Sequence, residues 1–153
     1  MHPGRRLGID AGQARVGVAV CDPEGILATP VATLNRRGES DEETARAIVR
    51  LAKENEVVEI IIGLPMHLSG QEGEAARQAR ELGDAIVRQG GGPVRMVDER
   101  LTTVQAEAAL REVGWSAKRQ RRIVDQAAAV VILQAALDAD RAGSQAAAID
   151  FDL

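Results

Sequence analysis

LGIDAGQARVGVAV, residues 7–20, consists of two short apolar runs on either side of a turn. Apolar runs joined in this way predict a β-hairpin. Because side chains alternate along a strand, Gly8 and Asp10 share one face of the first strand, which is nearly bare of side chains. Asp10 stands at the end of this strand, where a carboxylate is costly unless it is solvated, paired or bound to a cation. A plain acidic turn residue is the alternative, and other carboxylates near Asp10 decide between the two.

The composition predicts one soluble domain in a reducing compartment. The chain has 153 residues, 45% of them hydrophobic and 27% charged, and a net charge of −4. It therefore has no overall positive field for nucleic acid, so such a partner needs a local basic patch or metal ions. The single cysteine, Cys21, excludes an internal disulfide framework and favours the cytoplasm. No apolar run is long enough for a transmembrane helix, which predicts no membrane partner.

Local patterns predict five strands and four helices along the chain. Pro30 cannot donate to a strand ladder, so the third strand, Ile26 to Leu34, should lie at a sheet edge. Ser40 to Glu43 forms a capping box at the start of the first helix. The remaining elements are a strand over Val57–Ile62, a helix over Glu72–Gln89, a strand over Val94–Val97, a helix after the capping box Thr102–Gln105, and a helix over Lys118–Asp140.

This order predicts an α/β fold with one mixed sheet, its first strand at the centre. Residues 1–140 should form a single domain, and residues 141–153, which have no periodicity, a mobile tail. In an open α/β sheet, ligands lie beyond the carboxyl ends of the parallel strands. Asp10 ends the first strand and Glu99 ends the fifth, so both are expected in the same crevice.

Asp125 is the third acid that the pattern places in this crevice. It lies on an apolar stripe of the last helix with Ala129 and Ile132, where a carboxylate needs a cation or a hydrogen-bonding partner. A structural ion pair with Arg121 or Arg122 is the alternative. Sites made of oxygen ligands alone suit Mg²⁺ or Mn²⁺. Two such ions about 4 Å apart can activate a water and stabilise a leaving oxygen in phosphodiester cleavage.

Four segments together resemble the YqgF/RuvX family of Holliday junction resolvases. They are LGIDAGQARVGVAV, IIIGLPMHLSG, VDERLTT and RRIVDQAAAVVIL, and the resemblance spans residues 7 to about 137. It implies an RNase H-like fold with strand order 3-2-1-4-5, strand 2 antiparallel, and divalent-metal nuclease chemistry. It also implies a role in recombination, in processing the 5′ end of pre-16S ribosomal RNA, or in both. The acidic triad that it implies is Asp10, Glu99 and Asp125.

Basic residues near these acids are candidates for nucleic-acid binding. Arg15 and Arg100 are expected to hold phosphates, although ion pairs with neighbouring acids are an equal alternative. The densest basic patch, which we call the helix-start patch, consists of Lys118, Arg119, Arg121 and Arg122. Cations at a helix N-terminus oppose the helix dipole, which favours a functional reason for the patch over a solvated helix end. His67 and Trp115 are more typical of a solvated loop and of packing than of substrate contact.

The sequence therefore predicts a Mg²⁺- or Mn²⁺-dependent nuclease, with two ions bound alongside substrate. A non-catalytic nucleic-acid-binding or regulatory module of the same fold is the first rival. A nucleotide-binding domain of the actin/Hsp70 type is a weaker one, because such proteins carry two domains and this chain has room for one. Few aromatic residues are present to anchor an interface, so we expect a monomer or a weak homodimer.

Overall fold

The computed structural model describes residues 3–101 and 117–146, with side chains described over 3–100 and 125–143. The strands are β1 (Arg5–Ala11), β2 (Arg15–Cys21), β3 (Ala28–Asn35), β4 (Val57–Leu64) and β5 (Val94–Asp98). The helices are α1 (Asp41–Glu54), α2 (Glu74–Arg88) and α3 (Ala117–Ala146), and a 3₁₀ turn covers Glu99–Leu101. The helix predicted after Thr102–Gln105, and Trp115, lie outside the described residues.

The five strands form one sheet in the order β3-β2-β1-β4-β5. β2 is antiparallel to both β1 and β3, whereas β4 runs parallel to β1 and to β5. The predicted mixed sheet with β1 at its centre is thus confirmed, as is the edge position of β3. Pro30 lies opposite Ala19 next to an irregularity in the ladder, where a residue without an N–H is tolerated.

The two faces of the sheet are covered by different helices. On one face, α1 and α2 pack on bulky aliphatic residues, among them Leu7, Ile9 and Val18. On the other face, Ala129, Ile132 and Leu133 of α3 pack on small residues of β2 and on the centre of β4. The Ser40 capping box that starts α1 is present as predicted. The face under α3 is the bare one, and it carries Asp10.

Strand β3 begins two residues later than predicted, and the turn before it accounts for the difference. The Asp22 carboxylate accepts hydrogen bonds from the backbone N–H groups of Glu24, Ile26 and Leu27, at 3.0, 2.9 and 2.6 Å. These bonds hold Ile26 and Leu27 in the turn, and they lower the pKa of Asp22. Both apolar side chains are therefore more than half exposed instead of belonging to the strand.

The last helix is longer than predicted, because it continues six residues beyond Asp140 to Ala146. Arg141 ties this added length to the β2–β3 turn, donating from Nη1 to the Gly25 carbonyl oxygen at 2.8 Å. Residues 141–146 are thus helical, and the predicted mobile tail concerns only residues 147–153, which lie outside the described residues. No helix in the described part of the chain is long and apolar enough to cross a membrane.

A polar cluster fixes the carboxyl-terminal part of α3 to the amino ends of the strands. Arg95 of β5 donates to Asp140 of α3 at 2.7 and 2.8 Å and to Glu59 of β4 at 3.1 Å. Glu59 also pairs with Arg6 of β1, which is only 4% exposed. Truncating one partner would leave a poorly solvated charge, so the cluster resists sliding of α3 along the sheet. Asp125 lies towards the other end of this helix.

Candidate active site

Asp10 lies near the carboxyl end of the central strand, on the sheet face that α3 covers. Its partner across the β1–β2 ladder is Gly17. On the other side of β1, Ile9 pairs with Ile62 of β4, and Gly63 follows directly. The Asp10 side chain therefore projects from a row in which both neighbouring strands carry a glycine.

Gly17 lets the backbone of α3 rest directly on β2. A Cβ atom at position 17 would lie 1.9 Å from the carbonyl oxygen of Asp125, well inside any real contact. Gly8 acts in the same way further along, since its Cβ would lie 2.6 Å from the Cβ of Leu133. The bare face therefore accommodates a helix, and this close approach brings Asp125 beside Asp10.

Gly63 makes room for Glu99 on the other side of Asp10. A Cβ atom at position 63 would lie 3.3 Å from Oε2 of Glu99 and 2.5 Å from Cδ1 of Ile132. Glu99 begins the 3₁₀ turn that follows β5, so its backbone is placed by the parallel β4–β5 ladder. Glu99, after a strand end, and Asp125, on a helix, thus both lie near Asp10.

The electrostatics show that both neighbouring acids act on the Asp10 carboxyl. The pKa of Asp10 is raised to about 7, first by burial and then by the negative charges of Glu99 and Asp125. Burial also raises the pKa of Glu99. No hydrogen bond to the Asp10 carboxylate comes from the described part of the chain. Carboxylates with raised pKa values at the mouth of an α/β sheet are typical of functional sites.

Two arginines at the edge of this site are held by acids. Nε of Arg15 lies 2.7 Å from Oδ2 of Asp125, across 110 positions of the sequence. Arg100 is bound to Asp98 through Nε at 3.0 and 3.1 Å and through Nη2 at 2.6 Å, which lowers the pKa of Asp98. Both arginines therefore form ion pairs with acids, and Asp125 has Arg15 as a partner. The side chains of Arg121 and Arg122 lie outside the described residues.

The donors around Asp10 fit a hard divalent cation in chemical type. All three are carboxylates, the ligands that Mg²⁺ and Mn²⁺ prefer. Asp10 is desolvated and carries the electrostatic cost of two neighbouring acids, which a bound cation would relieve. Within residues 3–100 and 125–143, however, no three His, Cys, Asp or Glu side chains lie close enough to enclose one ion. Glu99 and Asp125 are thus close enough to Asp10 for their charges to act on it. The three carboxylates are too far apart to bind one ion together.

The other predicted residues have different surroundings. His67 is exposed in the β4–α2 loop, with its ring over Gly73, in agreement with a solvated loop histidine. Cys21 is buried, and its Sγ accepts a hydrogen bond from the Arg6 backbone N–H at 3.1 Å. The helix-start patch falls in the first turns of α3, and its side chains lie outside the described residues.

Arg36 supports the site from outside it, and the sequence analysis did not single it out. It donates from Nη1 to the Gly12 carbonyl oxygen at 3.4 Å, and its backbone N–H donates to the Ala14 carbonyl oxygen at 2.9 Å. Asp41 and Thr44 at the start of α1 hold its guanidinium in turn. Arg36 therefore fixes the β1–β2 turn that precedes Arg15. Only the pairing of β2 with β3 brings it there, so no local signal could identify it.

Comparisons with known proteins find similar sequences over most of the chain. The family model described as "RuvX: Holliday junction resolvase" matches residues 4–139. A protein of Nocardioides sp. named "Putative pre-16S rRNA nuclease" is 53% identical over 146 residues, which cover 93% of this chain and 92% of that protein. A protein of the same name from Mycobacterium sp. strain KMS is 51% identical over 140 residues, covering 91% of this chain and 82% of that one.

Solved structures show the same fold at lower sequence identity. Thermus thermophilus RuvC in complex with Holliday junction substrate superposes with a TM-score of 0.58 and 20% identity, covering 92% of this chain and 97% of that chain. A second Thermus thermophilus RuvC structure gives a TM-score of 0.53. RuvC is RNase H-like, so the predicted fold class is confirmed.

Proposed function

The chain belongs to the RuvX family, and on that premise we propose that it is a metal-dependent nuclease that hydrolyses phosphodiester bonds in structured nucleic acid. Its substrates in this proposal are the 5′ end of pre-16S rRNA, Holliday junctions, or both. The observation that carries the proposal is the convergence of Glu99 and Asp125 on the desolvated Asp10 at the carboxyl end of the sheet.

Asp10, Glu99 and Asp125 are the residues that would hold Mg²⁺ or Mn²⁺, two ions when substrate is present. Ions at this position supply a nucleophilic water and stabilisation of the leaving oxygen. Asp10 brings a carboxylate from the rigid centre of the sheet, while Glu99 and Asp125 bring theirs from either side. Arg15, Arg100 and the helix-start patch would hold phosphates along the entrance.

A cleavage assay on two substrates side by side tests this proposal. Purified protein is given a four-way DNA junction and a structured precursor RNA that carries the 5′ leader of the 16S sequence, each with Mn²⁺ and with EDTA. We expect Mn²⁺-dependent cleavage of at least one substrate. Faster cleavage of the junction would assign the protein to junction resolution, and faster cleavage of the RNA would assign it to precursor processing. Binding without cleavage of either would instead support the non-catalytic module.

Neutralising the helix-start patch should weaken nucleic-acid binding. Changing Arg119, Arg121 and Arg122 together to Gln removes up to three phosphate contacts, each worth about 0.9 in the slope of log affinity against log salt on a duplex. We expect a lower affinity and a flatter salt dependence, measured by fluorescence anisotropy on a labelled junction. A matched change of Arg77, Arg80 and Arg88 on α2, on the other side of the sheet, should leave the slope unaltered. An unchanged slope in the patch variant would make the patch a solvated helix end.

The oligomeric state separates the two candidate roles. A junction resolvase cuts two strands related by a two-fold axis, so one site per protomer requires a dimer, whereas a nuclease cutting one RNA strand does not. We expect sedimentation at micromolar concentration to show a monomer or weak dimer, with any dimer assembled on the junction. A tight dimer without nucleic acid would contradict this expectation and favour junction resolution.

A further inference from the structure

We propose that Arg15 occupies the place of the cation at Asp125 in the metal-free protein, and that it moves to a substrate phosphate when Asp125 turns to a divalent ion. The proposal rests on the proposed function and adds an ordered exchange to it. Arg15 would then be neither a permanent phosphate contact nor a permanent structural pair. Metal binding and substrate binding would be coupled through this one side chain.

The first support is the contact between Arg15 and Asp125, one of the three candidate metal ligands. Oδ2 of Asp125 accepts from Nε of Arg15 at 2.7 Å. A guanidinium at Asp125 offsets part of the negative charge that Glu99 and Asp125 place near Asp10. It thereby does for the metal-free protein what a bound cation would do.

The second support is that the pair can break at little cost. The Arg15 side chain is 53% exposed, whereas that of Asp125 is 20% exposed. Solvent-exposed ion pairs of this kind contribute little to stability. The two terminal nitrogens of Arg15 have no hydrogen-bond partner among the described residues, so the guanidinium is held through Nε alone. An arginine held at one nitrogen keeps its other donors available to a phosphate.

The third support is that the Arg15 backbone is fixed while its side chain is not. Arg15 pairs with Asn35 in the β2–β3 ladder, and its carbonyl oxygen accepts from the Gly12 N–H at 2.9 Å. The exchange therefore needs rotation of one long side chain and no movement of the hairpin. Arg100 differs in this respect, because Asp98, two residues earlier, holds both its Nε and its Nη2.

The exchange predicts opposite effects of one substitution on two kinds of binding. Arg15→Gln removes the competing cation, so Mn²⁺ affinity measured by calorimetry should rise by about three- to tenfold. Arg15→Lys keeps a charge that can pair with Asp125 and should stay within about twofold of the unmodified protein. Arg77→Gln on α2, on the opposite face of the sheet from the site, should also stay within about twofold, since its guanidinium is bound to Glu74 and Glu81. If Arg15 only oriented Asp125, Arg15→Gln would weaken Mn²⁺ binding, and that result would overturn the proposal.

Junction binding supplies the second readout. In EDTA, where Arg15 stays on Asp125, Arg15→Gln should change four-way-junction affinity by less than about twofold. In saturating Ca²⁺, with the junction confirmed intact after the measurement, the same variant should bind several-fold more weakly than the unmodified protein. An equal loss in EDTA and in Ca²⁺ would show a permanent contact and overturn the exchange.

The same experiment keeps this proposal apart from the proposed function. Asp10→Asn is measured in parallel and should lose Mn²⁺ binding. If it does, and Arg15→Gln leaves Mn²⁺ affinity unchanged, only the exchange is wrong. If Asp10→Asn binds Mn²⁺ as well as the unmodified protein, the metal site itself is wrong, and the exchange falls with it.

Discussion

Asp10→Asn is expected to reduce cleavage by about 10² or more while making the metal-free protein more stable above pH 7. The loss of activity follows because the substitution removes a charged ligand from the centre of the site. The gain in stability follows because the Asp10 carboxylate is costly to ionise in the folded protein, where its pKa is about 7. An amide of the same shape has no such cost.

The stability of the metal-free protein should therefore depend on pH through Asp10. In the unfolded chain Asp10 loses its proton near pH 4, but in the folded protein only near pH 7. Between these values the folded state binds more protons, so the free energy of unfolding of the metal-free protein falls as pH rises. Above pH 7 the difference between Asp10→Asn and the unmodified protein should reach on the order of 4 kcal/mol, and near pH 4 it should vanish.

Urea denaturation in EDTA at pH 4.5, 6 and 8 measures this difference. Asp41→Asn is the matched control, because Asp41 lies at the start of α1 and is paired with Arg36. The Asp41→Asn variant should not become more stable than the unmodified protein as the pH rises. If Asp10→Asn were no more stable than the unmodified protein at pH 8, Asp10 would not be desolvated among like charges, and the electrostatic case for a cation there would fail.

Gly17→Ala is expected to impair the site without changing any charge. The added methyl group would lie 1.9 Å from the Asp125 carbonyl oxygen, so the α3 backbone must move away from β2. Overpacking against backbone costs about 1–3 kcal/mol or more. Because a misplacement of about 1 Å can cost about 10² in rate, cleavage should fall to a similar degree as with loss of a ligand.

The control is the same substitution on the opposite face of the sheet. Gly83→Ala in α2 would place its Cβ 2.8 Å from Cε of Met96, the flexible end of a side chain that can shift. Alanine also favours the helix by about 1 kcal/mol. This variant should keep normal cleavage and near-normal stability. Thermal unfolding and single-turnover cleavage are measured on both variants. If Gly17→Ala behaved like Gly83→Ala in both, the account would be contradicted.

The sequence predicted those features that local pattern determines. The hairpin, the capping box at Ser40 and the edge position of the Pro30 strand each follow from residues that are neighbours along the chain. Asp125 could be identified because an acid on an apolar helical stripe is anomalous. Asp10 and Glu99 could be placed because parallel strands of one sheet end at the same edge.

The features that were not predicted are the particular partners in side-chain contacts between distant segments. Arg15 meets Asp125 across 110 positions, and Asp140 meets Arg95 across 45. Such pairs depend on helix position to within an ångström, which glycines such as Gly17 set and periodicity does not reveal. The late start of β3 was missed for a related reason, because the Asp22 carboxylate competes with the ladder for the N–H groups of Ile26 and Leu27.

The central claim is that three acids form one metal-dependent catalytic centre, and single-turnover cleavage by the unmodified protein and three single variants tests it most directly. We predict cleavage in Mn²⁺, none in EDTA, and a loss of about 10² or more in each of Asp10→Asn, Glu99→Gln and Asp125→Asn, with the folded structure retained by circular dichroism. Near-normal cleavage by any one variant would remove that residue from the centre. Undiminished cleavage in EDTA would contradict the account as a whole.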